Sequence, residues 1–267
     1  MVPELVGAIN CKGDTGVSES MTMLQAITQE ERNSRASQLA ESGRLHMPDF
    51  LENDTAAQLH RTLTDLEWIT VFNKGTDNYE MPRRNAMAMR ESERDRLLAD
   101  IRSRARSQYQ FFYLRYPIVE SYFGEGEDRG PLAGFFEMMN APETLDVIRE
   151  ITGEPDICWA DGQATCFGPG HFLNQHDDRH DKHDRVAAYV LNLTPEWDVD
   201  WGGYLQFFDE RGDLTGGFRP RYNALNMFTV PNRHSVELVA PFAGALRYSV
   251  TGWFRRDDPP GNIGGDS

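Results

Sequence analysis

Helical periodicity stops near Asp156, and the texture that replaces it narrows the folds open to this chain. Segments near 156–160, 163–167, 171–176, 185–194, 203–208, 224–229, 234–239 and 245–254 are short and rich in β-branched and aromatic residues. The turns FGPG, WDVDWGG, DERGD and APFAG separate them. Short strands at this spacing predict a jelly roll, two sheets facing each other around a pocket. Helices come first and strands second, an α+β order that argues against a doubly wound sheet.

The earlier stretch reads as support for that core. Residues 1–19 are a flexible lead, 20–155 a mainly helical supporting region, 156–256 the core and 257–267 a flexible tail. A helix is expected from Ser20 to about Glu41, with Met23, Leu24, Ile27, Ala36, Leu39 and Ala40 as its apolar stripe and Gly43 as its stop. Asp54 or Thr55 caps a second helix whose face is Ala56, Leu59, Leu63 and Leu66. Trp68 to Asn73 reads as a strand, and 91–109 as a helix with Leu97, Leu98, Ile101 and Ala105 on one side. Residues 124–131 read as a loop. Pro142 and Gly153 bracket a further helix.

The composition excludes several function classes. A net charge of −15 argues against a general nucleic-acid or anionic-membrane binder and leaves room for a basic protein partner. No run of about 18 apolar residues is present, so no transmembrane helix is expected. The N-terminus lacks the basic start and apolar core of a secretory signal. Cys11, Cys158 and Cys166 have neither zinc nor redox spacing, and Cys158 and Cys166 read as buried free thiols in strands. A cytoplasmic location is the expectation.

The chemistry concentrates in Gly170–Asp184, GHFLNQHDDRHDKHD. His176 and Asp178 stand two apart, so on a strand both leave one face. With a third ligand from elsewhere, that is the geometry of a 2-His-1-carboxylate iron site. His234 is the one histidine after the run. The competing reading is a solvated His/Asp-rich loop. Thirteen residues beyond His234 comes Arg247, sharing a strand face with Ser249. A buried Arg needs an acid, and none lies between Leu238 and Phe254, so a bound carboxylate gripped by the planar guanidinium is the economical partner.

Taken together, HDD at 176–178, the segment from Arg185, WGGYLQFF at 201–208, His234 and RYSVTGWF at 247–254 resemble the iron(II)/2-oxoglutarate-dependent dioxygenases, within them the prolyl-4-hydroxylase-like branch. The resemblance implies a double-stranded β-helix (jelly-roll) core with supporting N-terminal helices. It implies His176, Asp178 and His234 as iron ligands, and Arg247 as the grip on the distal carboxylate of 2-oxoglutarate, helped by Ser249. Many relatives hold that carboxylate with a Tyr from the strand after the first ligands; here the position is Asn192, which can also donate a hydrogen bond. The implied cofactors are Fe(II), 2-oxoglutarate and O2, with ascorbate as an optional reductant. The implied reaction hydroxylates a C–H bond with release of succinate and CO2.

Strand alternation puts Ala188, Val190 and Asn192 on one face and Tyr189 and Leu191 on the other, with Leu205 and Phe207 lining the cavity opposite. The surplus His180, His183, Asp177, Asp181 and Asp184 fall in the loop after the ligand strand, with solvated, supporting or lid roles. His171 faces away from His176, and His46 and His60 are surface or packing residues. Trp197, Trp201 and Trp253 are expected as core anchors, and Gly202-Gly203 as a bend. Three functions compete: a hydroxylase of a protein prolyl residue, a hydroxylase of a small molecule such as a free amino acid, and a non-catalytic ligand- or metal-binding jelly roll. The full set of four site residues argues against the last.

Overall fold

The computed structural model describes residues 27–124 and 130–264. In chain order its elements are α1 (Gln29–Ser42), β1 (Arg44–Met47), α2 (Asn53–Asp65), β2 (Ile69–Lys74), β3 (Asp77–Pro82), α3 (Arg83–Ala88), α4 (Glu91–Arg104), β4 (Phe111–Tyr116), α5 (Ile118–Phe123), α6 (Pro131–Met139) and α7 (Pro142–Thr152). There follow β5 (Trp159–Ala160), β6 (Gln163–Phe167), β7 (Phe172–His176), β8 (Arg185–Asn192), β9 (Leu205–Phe208), β10 (Leu214–Phe218), β11 (Ala224–Thr229), β12 (His234–Val236) and β13 (Arg247–Arg255). Met23, Leu24, Cys11 and the 1–19 lead lie outside the described residues, as does most of the 124–131 loop.

Helix α1 begins later than its apolar stripe suggested. Thr28 is extended and forms a capping box with Glu31, each side chain taking a backbone N–H, and this sets the start at Gln29. Gly43 closes it in the left-handed conformation, as Gly153 closes α7. The α2 stripe Ala56, Leu59 and Leu63 is buried, as its spacing required.

The strands form an antiparallel jelly roll. One run is β1-β11-β8-β13-β6-β4, extended by β2 and β3, and the other is β7-β12-β9-β10. Strand β4 joins them: Leu114, Arg115 and Tyr116 pair with β6, while Phe111 and Phe112 pair with β7. The stretch 20–155 is therefore not only a helical annex, because β1, β2, β3 and β4 belong to the same sheet as the core. Nor is the start of the tail loose: Ile263 packs on the main core and the Gly264 N–H donates to the Tyr122 hydroxyl at 3.0 Å.

Alternation along β8 divides the interior in two. Tyr189 and Leu191 join Leu225, Met227, Val250 and Phe254 against the helices, with Leu59, Phe135, Phe136 and Ile148 opposite. Ala188 and Val190 face the space between the two strand runs, with Leu205, Phe207 and Phe228. Cys166 is buried in the helix-side core, but Cys158 is exposed, because it lies in the connection before β5 and not in a strand.

Two glycines permit close approaches. Gly202 has φ +67° and a Cβ there would sit 2.4 Å from the Leu238 carbonyl oxygen. At Gly252, in mid-β13, a Cβ would sit 2.0 Å from the Asp161 carbonyl oxygen. Gly252→Ala is expected to lower stability by about 1–3 kcal/mol through overpacking, read by urea unfolding. Wild-type stability in that variant would contradict the close packing of β13 on the 160–162 turn.

Candidate active site

His176 ends β7 and His234 starts β12, and the two are direct cross-strand partners. Their rings lie 4.1 Å apart between centroids. Asp178 follows β7 with φ +64°, a left-handed turn that swings its carboxylate back between the rings. Its Oδ1 is 3.2 Å from His176 Nε2 and its Oδ2 is 3.4 Å from His234 Nε2. Donor atoms of the three residues lie within 4.8 Å of one another.

The backbone fixes which ring nitrogens face the group. His176 Nδ1 lies 3.0 Å from the Asn174 carbonyl, and His234 Nδ1 2.7 Å from the Asn232 carbonyl. A carbonyl only accepts, so each Nδ1 carries a proton, and each Nε2 faces the carboxylate. Burial, with His176 nearby, lowers His234 to about 4, leaving it neutral at ordinary pH. Burial pushes the Asp178 carboxyl up, but the two histidines outweigh it and hold it below the usual carboxylate range. Three side chains that offer metal-ligand atoms converge on one point, a set that could hold a cation. Imidazole and carboxylate together suit iron(II) over calcium or magnesium, which take all-oxygen shells.

The same residues border a cavity of about 500 Å3 between the strand runs. Alternate residues of β13, namely Arg247, Ser249, Thr251 and Trp253, line one wall. Arg247 is 2% exposed, and among the described residues no carboxylate pairs with it. Its Nη2 donates to Asn192 Oδ1 at 3.2 Å, its Nε has no partner, and its guanidinium lies 5.3 Å from the Phe167 ring centroid. Burial lowers its pKa to about 10, so it keeps its charge. A buried cation bordering a cavity fits the carboxylate of a bound acid.

Leu205 lines this cavity; Phe207 lies beside it, packed on Phe228 and the His234 ring. Asn192 is turned toward Arg247. Tyr189 is a packing residue whose hydroxyl donates to the Asp161 carbonyl. His171 stands apart, edge-on to Phe112. Of the surplus loop residues, His180 reaches the cavity and Asp177 pairs with Arg179 at its rim. His183 turns away to Arg255 and Asp257, which also takes the Asp184 N–H. Trp197 and Trp201 pack edge to face in a satellite core.

Trp253 departs from the expected core role. It lines the cavity beneath the Arg185 guanidinium, 3.6 Å from its ring centroid. Arg185 Nη1 in turn donates to the Asp178 carbonyl at 3.2 Å. The two-residue alternation from Arg247 would have placed Trp253 on this wall. Thr165, opposite Ser249 on β6, was legible by the same rule once the strand pairing is known. Tyr109 and Tyr113 line the cavity from beside and within β4, a strand absent from the sequence reading.

The comparisons agree with this geometry. Residues 162–255 match the family model of the 2OG-Fe(II) oxygenase superfamily. No curated protein sequence matches the chain. Among structures, the chain is similar to a Pseudomonas putida prolyl-4-hydroxylase, with TM-score 0.54 and 20% identity over 85% of this chain and 100% of that one. It is also similar to a Trichoplax adhaerens prolyl hydroxylase in complex with a hypoxia inducible factor peptide fragment, with TM-score 0.56 and 18% identity over 85% of this chain and 90% of that one. A third likeness is to the alpha ketoglutarate dependent epimerase SnoN from nogalamycin biosynthesis, with TM-score 0.51 and 10% identity over 84% of this chain and 83% of that one. These structural likenesses speak for the fold. With the family match falling on the segment that carries the convergent histidines and carboxylate, residues 162–255 are similar to the 2OG-Fe(II) oxygenase superfamily, and the protein is a dioxygenase that uses iron(II), 2-oxoglutarate and O2.

Proposed function

We propose that His176, Asp178 and His234 hold the iron, that Arg247 holds the distal carboxylate of 2-oxoglutarate, and that the substrate is a prolyl residue in a protein or peptide. The observation that carries the site assignment is the pairing, around one cavity, of three convergent ligand side chains with a buried guanidinium that has no acid partner among the described residues. Bound iron(II) with 2-oxoglutarate and O2 supplies the oxidising power, decarboxylating 2-oxoglutarate to succinate and CO2 as a substrate C–H bond becomes C–OH.

The chain's own residues bind and orient. The carbonyls of Asn174 and Asn232 aim the imidazoles. Arg185 fixes the Asp178 carbonyl from its seat on Trp253. Leu205, Phe228 and Val190 make the wall between them apolar and exclude water from the reacting atoms.

The prolyl reading is supported by the likeness to two prolyl hydroxylases, one with a peptide bound. The aromatic wall of Tyr109, Tyr113 and Trp253 suits a pyrrolidine ring, and Arg185 offers a cationic donor to a main-chain carbonyl. The basic-partner argument weakens here: at the lining, Asp177 and Asp178 are balanced by Arg179, Arg185 and Arg247. One observation favours a small-molecule substrate instead, the likeness to SnoN, an enzyme of a biosynthetic pathway.

Three outcomes test these assignments. Asp178→Ala should lower iron(II) affinity by more than about 100-fold, since even changes outside the ligand sphere cost about 10–100-fold, with the fold retained by circular dichroism. Undiminished iron binding would remove Asp178 from the site. Arg247→Ala breaks a buried charge pair worth about 3–5 kcal/mol and should weaken 2-oxoglutarate by roughly two to four orders of magnitude. Arg247→Lys should be intermediate because it keeps the charge and loses the fork; unchanged affinity in Arg247→Ala would rule the role out. For the substrate, cognate lysate incubated with enzyme, iron(II) and 2-oxoglutarate should yield peptides with oxygen added on proline by mass spectrometry. Oxygen gained by a metabolite and by no protein would replace the prolyl reading with the small-molecule one.

A further inference from the structure

A second hollow, of about 180 Å3, adjoins the cavity that the metal donors border. Along β13 the cavity wall runs Arg247, Ser249, Thr251 and Trp253; the hollow begins at Trp253 and continues to Arg255. On β6 the order is the same. Thr165 and Gln163 border the cavity, and Gln163, Gly162 and Asp161 border the hollow. On β4, Tyr113 lines the cavity and Arg115, two residues on, lines the hollow. These strands are hydrogen-bonded neighbours, and alternate residues of a strand share a face. Cavity and hollow are therefore successive parts of one trough, with Gln163 and Trp253 as the sill between them.

The sill is tied to the metal donors. Arg185 lies on the Trp253 ring and donates to the Asp178 carbonyl at 3.2 Å. A substrate group beside those donors meets one side of the sill, and the hollow opens on the other. One strand step of two residues is about 6.6 Å. Two residues of a polyproline-type chain span roughly 6.2 Å. A free amino acid ends before the hollow, whereas a peptide brings to it the side chain two residues from the reacting one.

Charge selects that side chain. Arg115 is held by two carboxylates, Glu80 at 2.8 Å and Glu120 at 2.6 Å. Arg255 is held by Asp161 at 2.9 Å and by Asp257. Two guanidiniums thus face four carboxylates, a negative surplus that the metal cavity lacks. The Glu80 and Glu120 side chains are 49% and 63% exposed, so both keep lone pairs open to a ligand. Arg115 Nε is buried without a partner among the described residues, a donor for a main-chain carbonyl of the same peptide.

We propose that the hollow is a subsite for a lysine or arginine side chain two residues from the hydroxylated prolyl residue, attracted by Glu80 and Glu120. This rests on the prolyl-peptide reading given above and adds a sequence preference to it. Exposed ion pairs are worth little, so the preference should be about three- to tenfold.

The test is calorimetric titration of the anaerobic protein, loaded with iron(II) and 2-oxoglutarate, with acetylated and amidated pentapeptides. Each has proline at the centre, alanine on either side of it, and Lys, Ala or Glu at both ends, so that either chain direction is served. The wild type should bind the Lys peptide about three- to tenfold more tightly than the Ala peptide and the Glu peptide most weakly, with the gap closing at high salt. In Glu80→Gln/Glu120→Gln the Lys and Ala peptides should bind alike, with affinity for the Ala peptide kept. Glu120→Lys should bind the Glu peptide more tightly than the Lys peptide. Equal wild-type affinities for the three peptides would overturn the subsite, while oxygen added to the Ala peptide once O2 is admitted would leave the prolyl reading standing. A Lys preference that survives the double glutamine variant would place the cation elsewhere and also overturn it. Neither binding nor oxidation of any peptide would overturn both readings together.

Discussion

Two backbone carbonyls determine what the centre of this molecule can do. By accepting hydrogen bonds from Nδ1 of His176 and His234, the carbonyls of Asn174 and Asn232 turn both Nε2 atoms toward an ionised Asp178. A metal cation at the proposed site would join the three side chains through one centre. The arrangement needs His176 and His234 on adjacent strands in register, which the β7–β12 pairing supplies. It also needs Asp178 in a left-handed turn that costs a non-glycine residue roughly 1–3 kcal/mol.

The surroundings hold that turn. Arg185 bonds the Asp178 carbonyl, and its guanidinium is stacked on Trp253. The Trp253 backbone N–H donates to Asp161, which with Asp257 holds Arg255. Arg255 and Asp257 in turn hold His183 and Asp184 at the far end of the loop that carries Asp178. The C-terminal segment thus fastens the loop that bears Asp178, the proposed metal ligand, a reason for the anchored state of a tail whose sequence looks loose.

Much of this was legible in the sequence because it depends on periodicities of two and four. The division of β8 into Ala188/Val190 and Tyr189/Leu191 faces and the α2 stripe are local patterns, and the structure repeats them. His176 and Asp178 do meet, but not by strand alternation: β7 ends at His176, and the left-handed backbone of Asp178 brings its carboxylate back. What escaped depends on pairing partners that weak local propensity does not announce. Strand β10, LTGGF, has two glycines and weak strand propensity, and it exists because it pairs with β9. Strand β4 lies inside a stretch dominated by helices, and with it went Tyr109 and Tyr113. Trp253 was read from its size as core, although its place two, four and six residues along from Thr251, Ser249 and Arg247 sets it on the cavity wall. The direction of the Asn192 amide is a tertiary fact, fixed by Arg247.

On the proposed assignments the metal and the oxo acid meet in one cavity, the metal at the histidines and the far carboxylate at Arg247. Iron K-edge X-ray absorption of the anaerobic iron(II)-loaded protein, before and after 2-oxoglutarate, reads that meeting directly. The account predicts two imidazole nitrogens among the iron neighbours and a change in the oxygen shell when 2-oxoglutarate is added. A spectrum without imidazole scattering, or one that 2-oxoglutarate leaves unaltered, would contradict it.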